Sequence, residues 1–206
     1  MKDTSTVKKD GTGREPLHYP YLEEKSREVG FTMPSDVEVC SLLRTLVASK
    51  PQGNFLEMGT GMGLSLSWMV EGMDADGTMT SLDNDPERCA LVGKVFREDH
   101  RLTIVCADGG QWLRTYDGQE FDLIFADAWP GKYSEIEKIL NWVRLGGFYV
   151  VDDMKPQPNW PRGHGKNVEG LTSYLEGRED FTLTRMDWST GLVLAVRTKK
   201  GSGATA

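Results

Sequence analysis

The 206-residue sequence has no run of the roughly 18 consecutive apolar residues that a membrane helix requires. Its opening, MKDTSTVKKDGTGRE, has no apolar h-region, so no secretory leader is expected. No Asn-x-Ser/Thr acceptor occurs. Cysteine is scarce: Cys40, Cys89 and Cys106 are odd in number and form no CxxC pair. A disulfide scaffold is excluded, and buried free thiols are expected at all three positions. Histidine is equally scarce, with His18, His100 and His164 forming neither HxH nor HxxxH. Zinc ligation by His and Cys therefore has nothing to build on. Basic charge is outweighed, 24 Lys and Arg against 31 Asp and Glu, for a net charge of −7. Little would be gained from phosphate counterion release, so nucleic acid is not the expected partner. These absences fit a soluble intracellular protein.

Hydrophobic residues make up 38% and charged residues 27%. With 23 glycines added, about half of the chain is apolar, ordinary for a globular domain with a real core. Residues 1–15 and 199–206 are small and polar and read as disordered ends around a domain at 16–198. Within it, short apolar runs alternate with amphipathic stretches. The runs are Asn54–Met58, Thr78–Asp83, Leu102–Cys106, Phe121–Ala126 and Gly147–Val151. They lack polar alternation, as suits strands buried on both faces. Helices are expected over Pro34–Lys50, Leu64–Met73, Pro86–Glu98, Gly110–Thr115, Tyr133–Val143 and Val168–Glu176. Asp85 before Pro86 reads as an N-cap. The last runs, Phe181–Asp187 and Gly191–Arg197, are joined too tightly to be parallel neighbours. The expected fold is α/β: a doubly wound, mostly parallel seven-stranded sheet with one antiparallel strand.

Ligands in such sheets bind at the carboxyl ends of the strands. The first strand ends in Glu57-Met58-Gly59-Thr60-Gly61-Met62-Gly63. The dinucleotide fingerprint would need its third glycine where Leu64 stands, and no GxxxxGK[ST] phosphate loop occurs. A carboxylate this near a Gly-rich turn suits an ammonium or hydroxyl better than a pyrophosphate. The second strand ends in Asp83, 24 residues after Gly59, where a carboxylate can accept from both ribose hydroxyls. After the third strand, Asp108-Gly109 could accept from an adenine amino group or merely cap a helix. Asp127 follows the fourth strand, and Asp152-Asp153 follows the fifth. Grouped carboxylates repel unless a cation or proton offsets them. An oxygen-only set points to Mg²⁺, or similarly Ca²⁺ or Mn²⁺; the same acids could instead bind an ammonium or cap turns.

With these motifs the chain resembles the class I S-adenosylmethionine-dependent methyltransferases, and among them the small O-methyltransferases related to catechol O-methyltransferase. The resemblance runs from about Phe31 to Arg197. FLEMGTGMGLS is similar to the family's first motif, implying cofactor contacts from Glu57, Gly59, Gly61, Gly63 and Ser65. TSLDNDPER implies Asp83 on the ribose, and CADGGQW places Asp108 and Gly109 near adenine. FADAWPGKY implies Asp127 as cofactor contact and metal ligand and Trp129 as an acceptor wall. GGFYVVDDM implies the remaining metal ligands, Asp152 and Asp153. Met33 precedes a helix that forms a lid over the cofactor in that family. The implied activity is methyl transfer from S-adenosylmethionine to a hydroxyl of a small phenolic or catechol-like molecule, with Mg²⁺ assisting. The implied setting is bacterial cytoplasm, and related enzymes are often homodimers.

Two departures stand out. Pro130 occupies the place of the family's catalytic lysine, with Lys132 two residues on, and the family's Asp-Asn pair is Asp152-Asp153. Lys132 and His164 are the candidates to take the proton. Trp160 lies in the Pro- and Gly-rich loop 155–166, which would overhang the acceptor pocket. Three rival readings share these cofactor motifs. They are a methyltransferase acting on tRNA, protein or an amine, an aminopropyl-transfer enzyme, and a non-catalytic S-adenosylmethionine-binding protein.

Overall fold

In a computed structural model describing residues 13–158 and 160–199, helices and strands alternate along the chain. The expected disorder of the ends falls largely on residues 1–12 and 200–206, outside the described residues. Helices α1 (Tyr19–Glu28) and α2 (Val37–Ala48) come first. They are followed by β1 (Asn54–Met58), α3 (Leu64–Gly72), β2 (Thr78–Asp83), α4 (Pro86–Val95) and β3 (Leu102–Cys106). The second half comprises α5 (Gly109–Thr115), β4 (Phe121–Ala126), the turn-like α6 (Trp129–Lys132) and α7 (Ile136–Asn141). It closes with β5 (Val143–Val151), α8 (His164–Glu176), β6 (Phe181–Met186) and β7 (Leu192–Arg197). No helix among the described residues is long and apolar enough to cross a membrane.

The seven strands lie in the order β3-β2-β1-β4-β5-β7-β6. All are parallel except β7, which pairs antiparallel with both β5 and β6. Each central strand feeds two cores, because successive side chains point to opposite faces. Phe55, Leu123, Phe125 and Val150 pack with α1–α4. Their chain neighbours Leu56, Ile124, Tyr149 and Val151 pack with α5, α7 and α8. That double burial is why these segments carry no polar alternation.

Four differences from the sequence reading have local causes. Strand β5 begins at Val143 rather than Gly147, because a register shift near Phe121 accommodates a bulge at Gly146-Gly147. Gly146 is left-handed, and a side chain at Gly147 would strike the carbonyls of Arg144 and Phe121. The expected helix over Tyr133–Val143 shortens to α7, since Glu135 is left-handed at its start and Val143 joins the sheet. Helix α8 begins at His164, after Gly163 in the left-handed region, so loop 155–166 is shorter than expected. Cys106 is exposed, because β3 is the outer strand; Cys40 and Cys89 are buried as expected. Helix α1, with proline in its first turn, had no counterpart in the sequence reading.

One buried carboxyl ties the first turn together. Glu57 on β1 has no exposure. Ser65 of α3 donates to its Oε1 at 2.6 Å, and Ser81 of β2 donates to its Oε2 at 2.5 Å. The Thr60 hydroxyl joins Ser81 at 2.6 Å, so the network spans strand, turn and helix. Burial raises Glu57 from an ordinary value of 4.5 to about 7, against the two serine hydroxyls and with the Asp83 charge adding to the rise.

The folded protein therefore holds this proton at pH values where the unfolded chain has lost it. Stability contributed by this group falls as pH rises from about 4.5 to about 7 and is level above. Glu57→Gln removes the titration. Its urea midpoint relative to the parent is expected to rise between about pH 5 and about pH 8. Parallel pH profiles for the two proteins would refute the assignment.

Candidate active site

Beyond the carboxyl ends of β1 to β5 lies a cavity of about 450 Å³, within the size range of small-molecule sites. Its floor is the β1 turn. Gly59 has φ +105°, and a Cβ there would lie 2.9 Å from the Asp127 carbonyl oxygen. Only glycine lets the turns after β1 and β4 approach this closely. Gly61, also left-handed, faces the ring of Phe31. Gly63 begins α3 and packs against Val92 and Leu22, so it shapes the turn without lining the cavity.

At one end stand Asp83 and Asp108. Asp83 Oδ2 accepts from Gly61 N–H at 2.8 Å and Oδ1 from Asp85 N–H at 3.0 Å, with the carboxylate half-exposed to the cavity. Asp108 lines the cavity and also caps α5, accepting from Gln111 N–H at 2.7 Å. Gly109 lies where a Cβ would come within 3.0 Å of Met58. Met33 is 59% exposed and sits on the rim. Glu57 does not reach the cavity, since its oxygens are consumed by Ser65 and Ser81. Ser65 does line it, although its hydroxyl points to Glu57.

The other end is aromatic. His164 Nε2 lies 3.1 Å from the Tyr133 hydroxyl. Trp160, Tyr133 and Trp129 surround the imidazole with ring centroids at 4.7, 5.2 and 6.1 Å. Desolvation and then the Lys132 charge hold His164 below the ordinary imidazole value, against Asp153. Burial, with the Asp153 and Asp127 charges adding, pushes Tyr133 up to about 12, so its hydroxyl stays protonated. Tyr133 was not singled out from sequence. The available signal was its place in the Gly131-Lys132-Tyr133 run beside the fourth-strand acid.

Between the ends lie the acids of β4 and β5. Ser35 donates to Asp127 Oδ2 at 3.3 Å. Burial first, then the Asp152 charge, push Asp127 well above the carboxylate range; Lys132 opposes them. Asp153 faces the cavity from a left-handed backbone, φ +54°. Asp152 is buried and turned aside, accepting from Thr190 Oγ1 and from Asp153 N–H at 2.7 Å. Among the described residues no group of three or more His, Cys, Asp or Glu converges to hold a metal ion. Of the three acids expected to hold a metal, Asp127 and Asp153 line the cavity, whereas Asp152 does not and receives both Thr190 and the Asp153 N–H on its Oδ1. Lys132 is buried and donates from Nζ to the Asp152 carbonyl oxygen at 2.6 Å.

The sequence model of the O-methyltransferase family matches residues 20–158. A candidate O-methyltransferase of Mycobacterium leprae is 33% identical over 113 residues, covering 52% of this chain and 49% of its own length. The match thus spans about half the length of that relative. Among solved structures, the O-methyltransferase TomG of Streptomyces achromogenes, involved in tomaymycin synthesis and solved with S-adenosylmethionine, superimposes with TM-score 0.77. Identity is 23%, with 94% of this chain and 92% of that chain covered. An O-methyltransferase of Bacillus cereus in complex with S-adenosylhomocysteine gives TM-score 0.74 at 19% identity, covering 93% and 92%. At such identities the likeness establishes the Rossmann-like methyltransferase fold. The family match runs from α1 past the Asp152-Asp153 pair, through every strand end that lines the cavity, and the chain belongs to the O-methyltransferase family.

Proposed function

We propose that this chain transfers a methyl group from S-adenosylmethionine to a hydroxyl of a small phenolic acceptor, within a domain spanning residues 16–198. One observation carries the reading. A single cavity joins an acidic end, suited to a nucleoside, to an aromatic end holding a histidine. The S-adenosylmethionine and S-adenosylhomocysteine named for TomG and the Bacillus cereus enzyme support the cofactor.

In this reading the free lone pairs of Asp83 accept from the ribose hydroxyls, while Gly61 N–H keeps the carboxylate oriented. Asp108 and Gly109 flank the base, and Gly59 and Gly61 let the cofactor lie close on the backbone. Glu57 and Gly63 act indirectly, by fixing the turn. Trp129, Trp160 and Tyr133 offer flat faces to an aromatic acceptor. When bound, S-adenosylmethionine would supply an activated methyl on its sulfonium for transfer to the acceptor oxygen. His164 accepts the acceptor's proton; its lowered pKa keeps it neutral and basic near pH 7. Methyl ether, S-adenosylhomocysteine and protonated His164 account for every atom. Lys132 is less suited as base, because its ammonium is buried and already donates to Asp152 O. This reading needs no Mg²⁺: among the described residues no three His, Cys, Asp or Glu group to hold one.

Calorimetry with S-adenosylhomocysteine and transfer of labelled methyl to a panel of phenols test this function. Asp83→Ala is expected to weaken S-adenosylhomocysteine binding by roughly tenfold or more, from lost charge-assisted hydrogen bonds. His164→Ala should lower kcat/KM about 10²- to 10⁴-fold and leave that binding unchanged. The acid limb of the parent's rate profile should fall below the ordinary imidazole value. Full activity in His164→Ala would remove it as the base, and binding without transfer to any hydroxyl would sink the enzyme reading.

A further inference from the structure

We infer that Lys132 is the resident cation of this site, standing where the family resemblance implies a divalent metal, and that acceptors with a single hydroxyl are methylated without one. The part concerning acceptors rests on the function proposed above; the part concerning the cation does not.

A lysine is seldom buried unless its charge is compensated. Lys132 is only 5% exposed, yet it lines the cavity. Its Nζ donates to the carbonyl oxygen of Asp152, between the acids that end β4 and β5, and lies 5.3 Å from the Tyr133 ring centroid. Burial raises Asp127, Asp152 and Asp153, the acids expected to hold a metal, and the Lys132 charge opposes that rise at all three without reversing it.

The turn that delivers the lysine is built for this placement. Pro130-Gly131 stand between Trp129 and Lys132, and Gly131 has φ +86°. A side chain there would lie 2.6 Å from Ile139 Cδ1. The Gly131 carbonyl accepts from the buried Tyr149 hydroxyl at 2.5 Å, and its N–H donates to Ser134 O at 2.7 Å. These bonds turn the backbone so that the following residue points inward. A dication entering beside a buried ammonium would meet strong repulsion. Of the Asp152 carboxylate only Oδ1 is occupied, by Thr190 and the Asp153 N–H, so the lysine is the obstacle that a substitution can lift.

The consequence is one of substrate class. A metal selects vicinal hydroxyls because they chelate. A fixed ammonium offers no such premium, and recognition passes to the aromatic wall and His164.

Mn²⁺ titration of the full chain, followed by EPR with and without S-adenosylhomocysteine, tests the cation assignment independently of turnover. The parent protein is expected to leave the free-ion signal undiminished. Lys132→Met should take up one Mn²⁺ per chain, and adding Asp153→Asn should abolish that uptake. EDTA should leave turnover of a monohydroxy phenol within about twofold, whereas removing a Lewis-acid metal would stop the reaction. One Mn²⁺ bound by the parent and released by Asp153→Asn would overturn the inference, as would a folded Lys132→Met protein that binds none. Should Lys132→Met not fold, the parent titration and the EDTA result still decide. Absence of S-adenosylhomocysteine binding would fault the proposed function and leave the Mn²⁺ result standing.

Discussion

The Glu57 carboxyl, wholly removed from water, is the constraint on which the acidic end of the cavity depends. It receives hydroxyls from α3 and β2 while sitting on β1, so three elements cannot shift independently. The turn that follows is held by Gly59 and Thr60 N–H groups, both donating to Leu82 O. Gly61 then passes its N–H to Asp83. Each bond fixes the next, from a buried acid to a partly exposed one facing the cavity. A buried carboxyl is tolerable here because each of its oxygens has a hydroxyl partner and because it can keep its proton.

The strand framework was legible in the sequence for a physical reason. The segments 54–58, 78–83, 102–106 and 121–126 agree with the observed strands, since central strands between two helical layers admit few polar residues. The reversed β7 followed from the short hairpin, where Ser189 and Gly191 adopt positive φ. Less legible were features set by tertiary partners. The Gly146-Gly147 bulge looked like a strand start, and α1 has no strong apolar stripe to announce it.

The same division runs through the site. Asp83, Asp108, Asp127, Asp153, Trp129, Trp160, Lys132 and His164 do meet around one cavity, as strand-end residues should. Residue type and spacing could not say where a side chain spends its hydrogen bonds. Asp152 turns to Thr190, 38 positions away, and Glu57 to Ser81, 24 positions away. Three acids at neighbouring strand ends suggested a metal, and spacing could not show that Lys132, two residues beyond the expected lysine, reaches the Asp152 carbonyl among them. Tyr133 escaped notice because its importance arises only once α8 brings His164 to it.

The strand latest in sequence, β7, lies inside the sheet between β5 and β6. Strand β6 therefore has no partner until β7 arrives, although it is made first. During synthesis the growing chain must hold β6 and α8 beside an open edge of β5, and α8 begins with His164. Closure of the sheet is thus a late, non-local event that carries a loop-closure cost. A nascent chain would expose the edge of β5 as a pairing surface until then. The fold's one reversed strand is the latch that closes the sheet.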